Sequence, residues 1–237
     1  MVSAFPRSTT LTVTCLPKDG IRRTIDATIE LSDLGYDVVP HLAARQIGGE
    51  KELRRHLVRL DEAGVNALFV IGGDGKSTDD TFGSGGELLR SIRELTGERF
   101  TAGVAGYPDG HPAMSIDRAL EVLAEKQELA DCVVTQMCFN TATLVAYLSR
   151  LQTVGITLPV WFGVPGTVRM SRLLAIAARI GVGPSLSFAR KSHNLRLITG
   201  NFDSNQFRDH LLDSASEAGL PFAGFHLYSF NDFASGE

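Results

Sequence analysis

Ala67-Leu-Phe-Val-Ile-Gly-Gly-Asp74 decides the fold class. Five apolar residues without a polar break predict a strand covered on both faces, as strands of parallel sheets are. The run stops at Gly72-Gly73, and a carboxylate, Asp74, stands just beyond it. Two other runs end in the same manner. Phe100–Gly106 opens into Tyr107-Pro-Asp-Gly-His-Pro112, and Cys132-Val-Val-Thr135 opens into Gln136. Polar groups just past the end of a buried strand lie where an α/β barrel keeps its active site.

Outward from β-type Ala67–Ile71 the pattern repeats. Leu11–Leu16 is β-branched and stops at Pro17, and Asp37–Leu42, Leu158–Val164 and Phe222–Phe230 read as further strands. Between the strands lie helical stretches. The first opens at Asp19-Gly20, sets Ile21, Ile25, Ile29 and Leu34 near one face and closes at Gly35. The second runs from Gly49 through Leu53, Leu57 and Leu60 to Gly64. Others are predicted over 87–96, 115–129, 141–154, 169–180 and 204–218. Strands alternating with helices mean parallel βαβ units. A doubly wound open sheet would show a glycine fingerprint after its first strand, and Cys15-Leu-Pro-Lys-Asp-Gly20 is not GxGxxG. The expectation is an α/β chain of the (βα)8 TIM type. With no Ser/Pro-rich linker or charge block, residues 1–237 are read as one domain.

Composition narrows the function classes. The formal net charge is −4 with no basic run, which argues against a nucleic-acid partner. Cys15, Cys132 and Cys138 show no CxxC spacing, as expected of free thiols in a reducing compartment. No apolar run approaches the roughly 18 residues of a membrane span, and Met-Val-Ser-Ala-Phe-Pro is not a signal peptide. The expectation is a cytoplasmic protein with no membrane partner.

Several residues can carry chemistry. Gly72-Gly-Asp-Gly-Lys76-Ser77 looks like the end of a P-loop, but that motif needs glycine at position 70, which is Val70. Asp74 instead offers acceptors to a paired N–H/NH2 edge such as that of a pterin. Gln136 offers a donor and an acceptor without charge, suited to orienting an amide or a heterocycle edge, or simply to satisfying loop backbone groups. His111 follows Pro108 and precedes Pro112, so its backbone is restricted. It is either a site residue or a cap of the next helix. His41 and His226 also sit in strands, but no spacing singles out a metal-ligand set, and no metal is expected. Cys138 has no activating base nearby in sequence. Lys126 falls near the C-terminal end of the helix predicted over 115–129, where a surface lysine is the default.

Pro40-His41-Leu42, Gly73-Asp74, Tyr107–Pro112, Lys126, Thr135-Gln136 and Phe225-His-Leu-Tyr-Ser-Phe-Asn231 resemble, in order and spacing, the methylenetetrahydrofolate reductase family. The resemblance covers nearly the whole chain. It implies an eight-stranded α/β barrel that reduces 5,10-methylenetetrahydrofolate to 5-methyltetrahydrofolate with a nicotinamide hydride, NADH or NADPH, usually relayed by FAD. It also implies roles: Asp74 reads the pterin edge and tunes charge at the flavin or iminium, and Gln136 contacts folate and nicotinamide. Thr14, His41, Tyr107, His111 and Lys126 match positions lining the flavin site.

Three departures shape the expectation. The family's opening strand, with a glutamate that protonates the folate ring nitrogen, has no counterpart, and no acidic residue precedes Asp19. The final barrel helix is also missing after the last strand. The barrel is therefore expected to lack its first strand and last helix, leaving two strand edges that a second copy or further chain would cover. Finally, the family's Arg before Gly-Asp is Gly72, and Ala119–Glu125 is apolar or acidic, so FAD binding is expected to be weak or lost, with hydride passing directly. The alternative reading is a non-catalytic folate-binding or assembly subunit. Arg169, Arg190 and Lys191 are candidates for the folate tail by charge alone.

Overall fold

The computed structural model describes residues 5–74, 80–111, 113–166 and 203–229. Strands and helices alternate along them. β1 (Thr10–Val13), β2 (Asp37–Ala43), β3 (Ala67–Ile71), β4 (Thr101–Gly106), β5 (Cys132–Thr135), β6 (Val160–Pro165) and β7 (Gly224–Tyr228) are the strands. The helices are α1 (Gly20–Asp33), α2 (Gly49–Glu62), α3 (Gly85–Thr96), α4 (Ile116–Ala124), α5 (Thr141–Thr153) and α6 (Ser204–Glu217). Strand order in the sheet is the chain order, β1 through β7. The pairs β1–β2, β2–β3, β3–β4, β5–β6 and β6–β7 are all parallel. This is the parallel α/β architecture that the apolar run at 67–71 predicts.

The chain divides into two compact units. The first comprises Met1–Ala105 and Glu125–Cys132, the second Gly106–Ala124 and Val133–Glu237.

In the first unit each helix presents one apolar stripe to the strands. Ile21, Thr24, Ile25 and Thr28 are buried on α1, and Leu53, His56, Leu57 and Leu60 on α2. Helix α3 buries Leu88, Leu89 and Ile92. Its start is set by a reciprocal cap: Ser84 accepts from the Glu87 N–H, and the Glu87 carboxylate accepts from the Gly83 N–H. Near its other end Arg93 acts as a staple. It donates to the carbonyls of Leu129 (2.8 Å) and Phe100 (2.7 Å) and to Asp131 (2.6 Å). The same Asp131 carboxylate oxygen accepts from the Ala102 N–H at 2.6 Å. One guanidinium thereby satisfies loop carbonyls that would otherwise need water.

In the second unit Asn140 caps α5 and Asp203 caps α6. The buried Ser204 hydroxyl donates to the Pro165 carbonyl, which joins the start of α6 to the end of β6. Phe162 and Val164 of β6 are fully buried, and the Phe162 ring meets Phe222 at 4.8 Å.

Boundaries differ from the sequence expectation in one instructive place. The helix predicted over 115–129 stops at Ala124, although Glu125-Lys-Gln-Glu-Leu129 has good helix formers. Leu129 and Ala130 both donate to the Lys126 carbonyl, reversing the chain toward β5. Here tertiary placement overrides propensity. The predicted helix 169–180, Gly75-Lys76-Ser77, Pro112, Phe230-Asn231, Arg169, Arg190 and Lys191 lie outside the described residues. Among the described residues no helix is long and apolar enough to cross a membrane.

Candidate active site

In the first unit, the C-terminal ends of β1, β2 and β3 carry Thr14, His41 and Asp74. Thr14 is exposed just past β1. His41 is buried within β2, pairs in register with Phe69 of β3 and tilts against its ring at 4.7 Å. Asp74 is exposed beyond the end of β3.

The turn that delivers Asp74 depends on glycine. Gly73 has φ +79°, and a Cβ there would stand 2.9 Å from the Cβ of Ala43. Its carbonyl accepts from the Arg45 guanidinium at 2.5 Å, and the Arg45 backbone N–H donates to the Gly72 carbonyl at 3.1 Å. Arg45 Nη1 lies 3.6 Å from the point where a Cβ on Gly72 would sit. A cation therefore occupies the neighbourhood of position 72, supplied from the short helical turn Ala44–Gln46 after β2. Among the described residues its other guanidinium N–H groups have no acceptor. Sequence reading missed Arg45, because 28 residues of chain separate it from Gly73. The available signal was its place just past a strand end.

Lys126 belongs to the same neighbourhood. Its side chain runs beside the N-terminal turn of α3, with Cε 3.6 Å from where a Cβ on Gly86 would lie. The adjacent Gly85 packs on the Ile71–Gly72 backbone. Burial lowers the Lys126 ammonium below its ordinary value, and Glu125 partly opposes the shift. It is a half-buried lysine in the turn after α4, not the surface lysine of a helix end.

In the second unit, Tyr107 and His111 form an edge-on ring pair at 4.7 Å and 81°. His111 Nδ1 accepts from the Ala113 N–H at 3.1 Å, so in the neutral ring Nε2 carries the proton. That bond closes the turn before α4, whose own first turn is capped by Ser115 Oγ accepting from the Arg118 N–H at 3.2 Å, so His111 is not the cap of the next helix. Gln136 is held by its backbone N–H, which donates to the Gly106 carbonyl at 2.7 Å. Cys138 is buried, and its thiol donates weakly to the Asn140 carbonyl. Tyr228 donates to the Thr135 carbonyl at 3.2 Å and stacks edge-on with His226 at 4.8 Å. Among the described residues no three or more His, Cys, Asp or Glu side chains converge as a metal site would require.

Burial lowers His226 from 6.5 to about 4. The unfolded chain therefore binds a proton between these values that the native chain does not. Stability is expected to be full above about pH 6.5 and to fall as the pH drops toward 4, by about 3 kcal/mol from this residue. His226→Phe should flatten the dependence of the urea midpoint on pH across that window. The remaining slope should come in part from His56, whose ring burial also shifts down. An unchanged slope would refute the assignment.

A family model described as methylenetetrahydrofolate reductase matches residues 8–180. Methylenetetrahydrofolate reductase 1 of Schizosaccharomyces pombe is 33% identical over 141 residues, covering 56% of this chain and 23% of the relative. The probable methylenetetrahydrofolate reductase (NADPH) of Caenorhabditis elegans is 32% identical over 138 residues, 56% of this chain and 20% of the relative. Methylenetetrahydrofolate reductase (NADH) 1 of Arabidopsis thaliana is 27% identical over 171 residues, 62% and 28%. The chain thus spans about a quarter of the length of these relatives. Among solved structures, a GH18 chitinase from Pseudoalteromonas aurantia superposes with a TM-score of 0.54 at 13% identity, covering 91% of this chain and 78% of that one, a likeness of fold alone.

Proposed function

Because the chain belongs to the methylenetetrahydrofolate reductase family, we propose that it reduces 5,10-methylenetetrahydrofolate to 5-methyltetrahydrofolate with NADH or NADPH as hydride donor. The observation that supports this most is the family match over residues 8–180, a stretch that includes Thr14, His41, Asp74, Tyr107, His111, Lys126 and Gln136. The hydride ends on the one-carbon unit, a proton ends on the folate nitrogen released as the five-membered ring opens, and the nicotinamide is left oxidised.

Asp74 accepts hydrogen bonds from the N–H/NH2 edge of the pterin, and its charge favours the cationic iminium form of the substrate. Gln136 orients the folate and the nicotinamide amide through its paired donor and acceptor. Tyr107 and His111 present an aromatic wall to a planar ring system. Few nucleophiles or acids are needed, because the cofactor carries the chemistry and the protein supplies orientation.

The donor set suits an anionic dinucleotide. Arg45 has N–H groups without an acceptor among the described residues, and Lys126 brings a second cation to the end of β3. The loss of an arginine at Gly72, which led to the expectation of weak FAD binding, is offset by Arg45. Arg45 and Lys126 would hold the pyrophosphate that FAD and the nicotinamide cofactors share. When bound, such a cofactor supplies the hydride, directly or through a flavin.

Purified protein should oxidise NADH or NADPH only when methylenetetrahydrofolate is added, and its absorbance spectrum reports whether flavin accompanies it. Absence of folate-dependent oxidation with either donor would refute the assignment. Arg45→Met should weaken dinucleotide binding about ten- to a hundredfold, the value of a charge-assisted hydrogen bond, measured by fluorescence titration. Unchanged affinity would remove Arg45 from the site.

A further inference from the structure

One buried phenol stands directly behind the Tyr107–His111 stretch, and no step of the proposed reaction uses it. Tyr147 projects from α5 and is only 5% exposed. The backbone at Gly106 packs on its hydroxyl, and hydrogen bonding from the adjacent Tyr107 backbone holds the phenol down from a still larger upward shift. Burial nonetheless pushes the phenol well above its ordinary range, so it stays neutral and is no acid or base for the reaction.

Position 106 carries an independent record of the same contact. A Cβ on Gly106 would lie 2.7 Å from the Tyr147 hydroxyl and 2.8 Å from Val133 Cγ1, closer than real Cβ atoms approach. The end of β4 is bare so that its backbone can sit on the phenol. A phenylalanine would fill the same volume. The hydroxyl adds a polar group that must find a partner when buried, and it finds one in the backbone of the site stretch, 40 positions away in sequence and outside its own helix.

Tyr107 is the residue so held. Its ring meets His111 at 4.7 Å, and its phenol acts electrostatically on both Tyr147 and Tyr228. Tyr228 is in turn anchored to the Thr135 carbonyl. Tyr147 thus packs at the end of β4 and Tyr228 at the end of β5, and only Tyr107 of the three phenols belongs to the stretch proposed to face the ligand.

We propose that Tyr147 is a positioning residue: its hydroxyl fixes the Tyr107 backbone, and through it the direction in which the Tyr107–His111 pair meets the ligand. The proposal deepens the folate-reductase reading and rests on it. A site group displaced by about an ångström can cost as much as a hundredfold in rate, so one hydroxyl behind the wall has a readable effect.

The test is Tyr147→Phe in the full chain, compared with wild type in three measurements. Amide exchange in a peptide covering 106–111 should become at least about fivefold faster, while exchange elsewhere and the melting temperature stay close to wild type. The kcat for NAD(P)H-dependent methylenetetrahydrofolate reduction should fall about ten- to a hundredfold, with KM within about twofold. Local exchange and kcat both equal to wild type would overturn the proposal. So would a fall in kcat accompanied by faster exchange throughout the chain, which marks a core filler. If wild type itself shows no folate-dependent turnover, it is the reading of function that fails, and the positioning role falls with it. Wild-type turnover with an indifferent Tyr147→Phe sinks the positioning role alone.

Discussion

Gly163→Ala is expected to leave no folded second unit at 37 °C. Gly163 lies mid-strand in β6, where its N–H donates to Thr135 Oγ1 at 2.8 Å. A Cβ there would overlap the Thr135 carbonyl oxygen, stand 3.1 Å from the Thr135 carbonyl carbon and 2.8 Å from Tyr228 Cε2. None of these neighbours can swing aside cheaply. The carbonyl is backbone, and the Tyr228 hydroxyl is tied to that same carbonyl. Relief requires parting β6 from β5, paired through Val133↔Val160 and Val134↔Trp161, or from β7, paired over Trp161–Pro165. Ordinary overpacking costs 1–3 kcal/mol. A backbone clash on one side with a held ring on the other should exceed about 4 kcal/mol, most of what a domain has to lose. Soluble yield and near-ultraviolet circular dichroism measure it. A variant melting within about 5 °C of wild type would show that the strands yield more easily than this packing implies.

The second large effect is catalytic. Asp74→Asn is expected to lower kcat/KM for methylenetetrahydrofolate about a hundred- to a thousandfold with no loss of thermal stability. Asp74 is exposed beyond the end of β3, outside the buried core of the described residues. Asparagine keeps the shape but turns one acceptor into a donor, which would meet the donor edge of a pterin head-on. On the proposed folate-reductase reading it also removes the charge that favours the iminium. Steady-state kinetics beside a thermal melt separates the two readouts. Turnover equal to wild type would place Asp74 outside the chemistry.

The parallel α/β plan was legible because its signal is local. Ala67–Ile71 is apolar at every position, and a strand of that kind needs cover on both faces. The family resemblance was legible too, since short motifs such as Tyr107–Pro112 hold their spacing whatever the packing. Groups that reach a strand end from elsewhere were not. Arg45 and Tyr147 act on Gly73 and Tyr107 across 28 and 40 positions, and no periodicity points from one to the other. The end of α4 was misplaced for a related reason: Glu125–Leu129 has helical composition, but two hydrogen bonds to one carbonyl turn the chain there. The glycines at 106 and 163 are visible as letters, and only packing says what they make room for.

The Arg93 staple has a consequence for the order in which the chain is made. Leu129 and Asp131, two of its partners, lie in the segment Glu125–Cys132, which belongs to the first unit although Gly106–Ala124 before it belongs to the second. A nascent chain that has emerged only to Ala105 therefore holds Arg93 with part of its bonds unmade, and Ala102 without its carboxylate. Translation must continue for about one to five seconds before the seam can close. A gene cut at the apparent midpoint would encode an N-terminal half that can never close it. The shortest such half that carries its own clasp ends at Asp131.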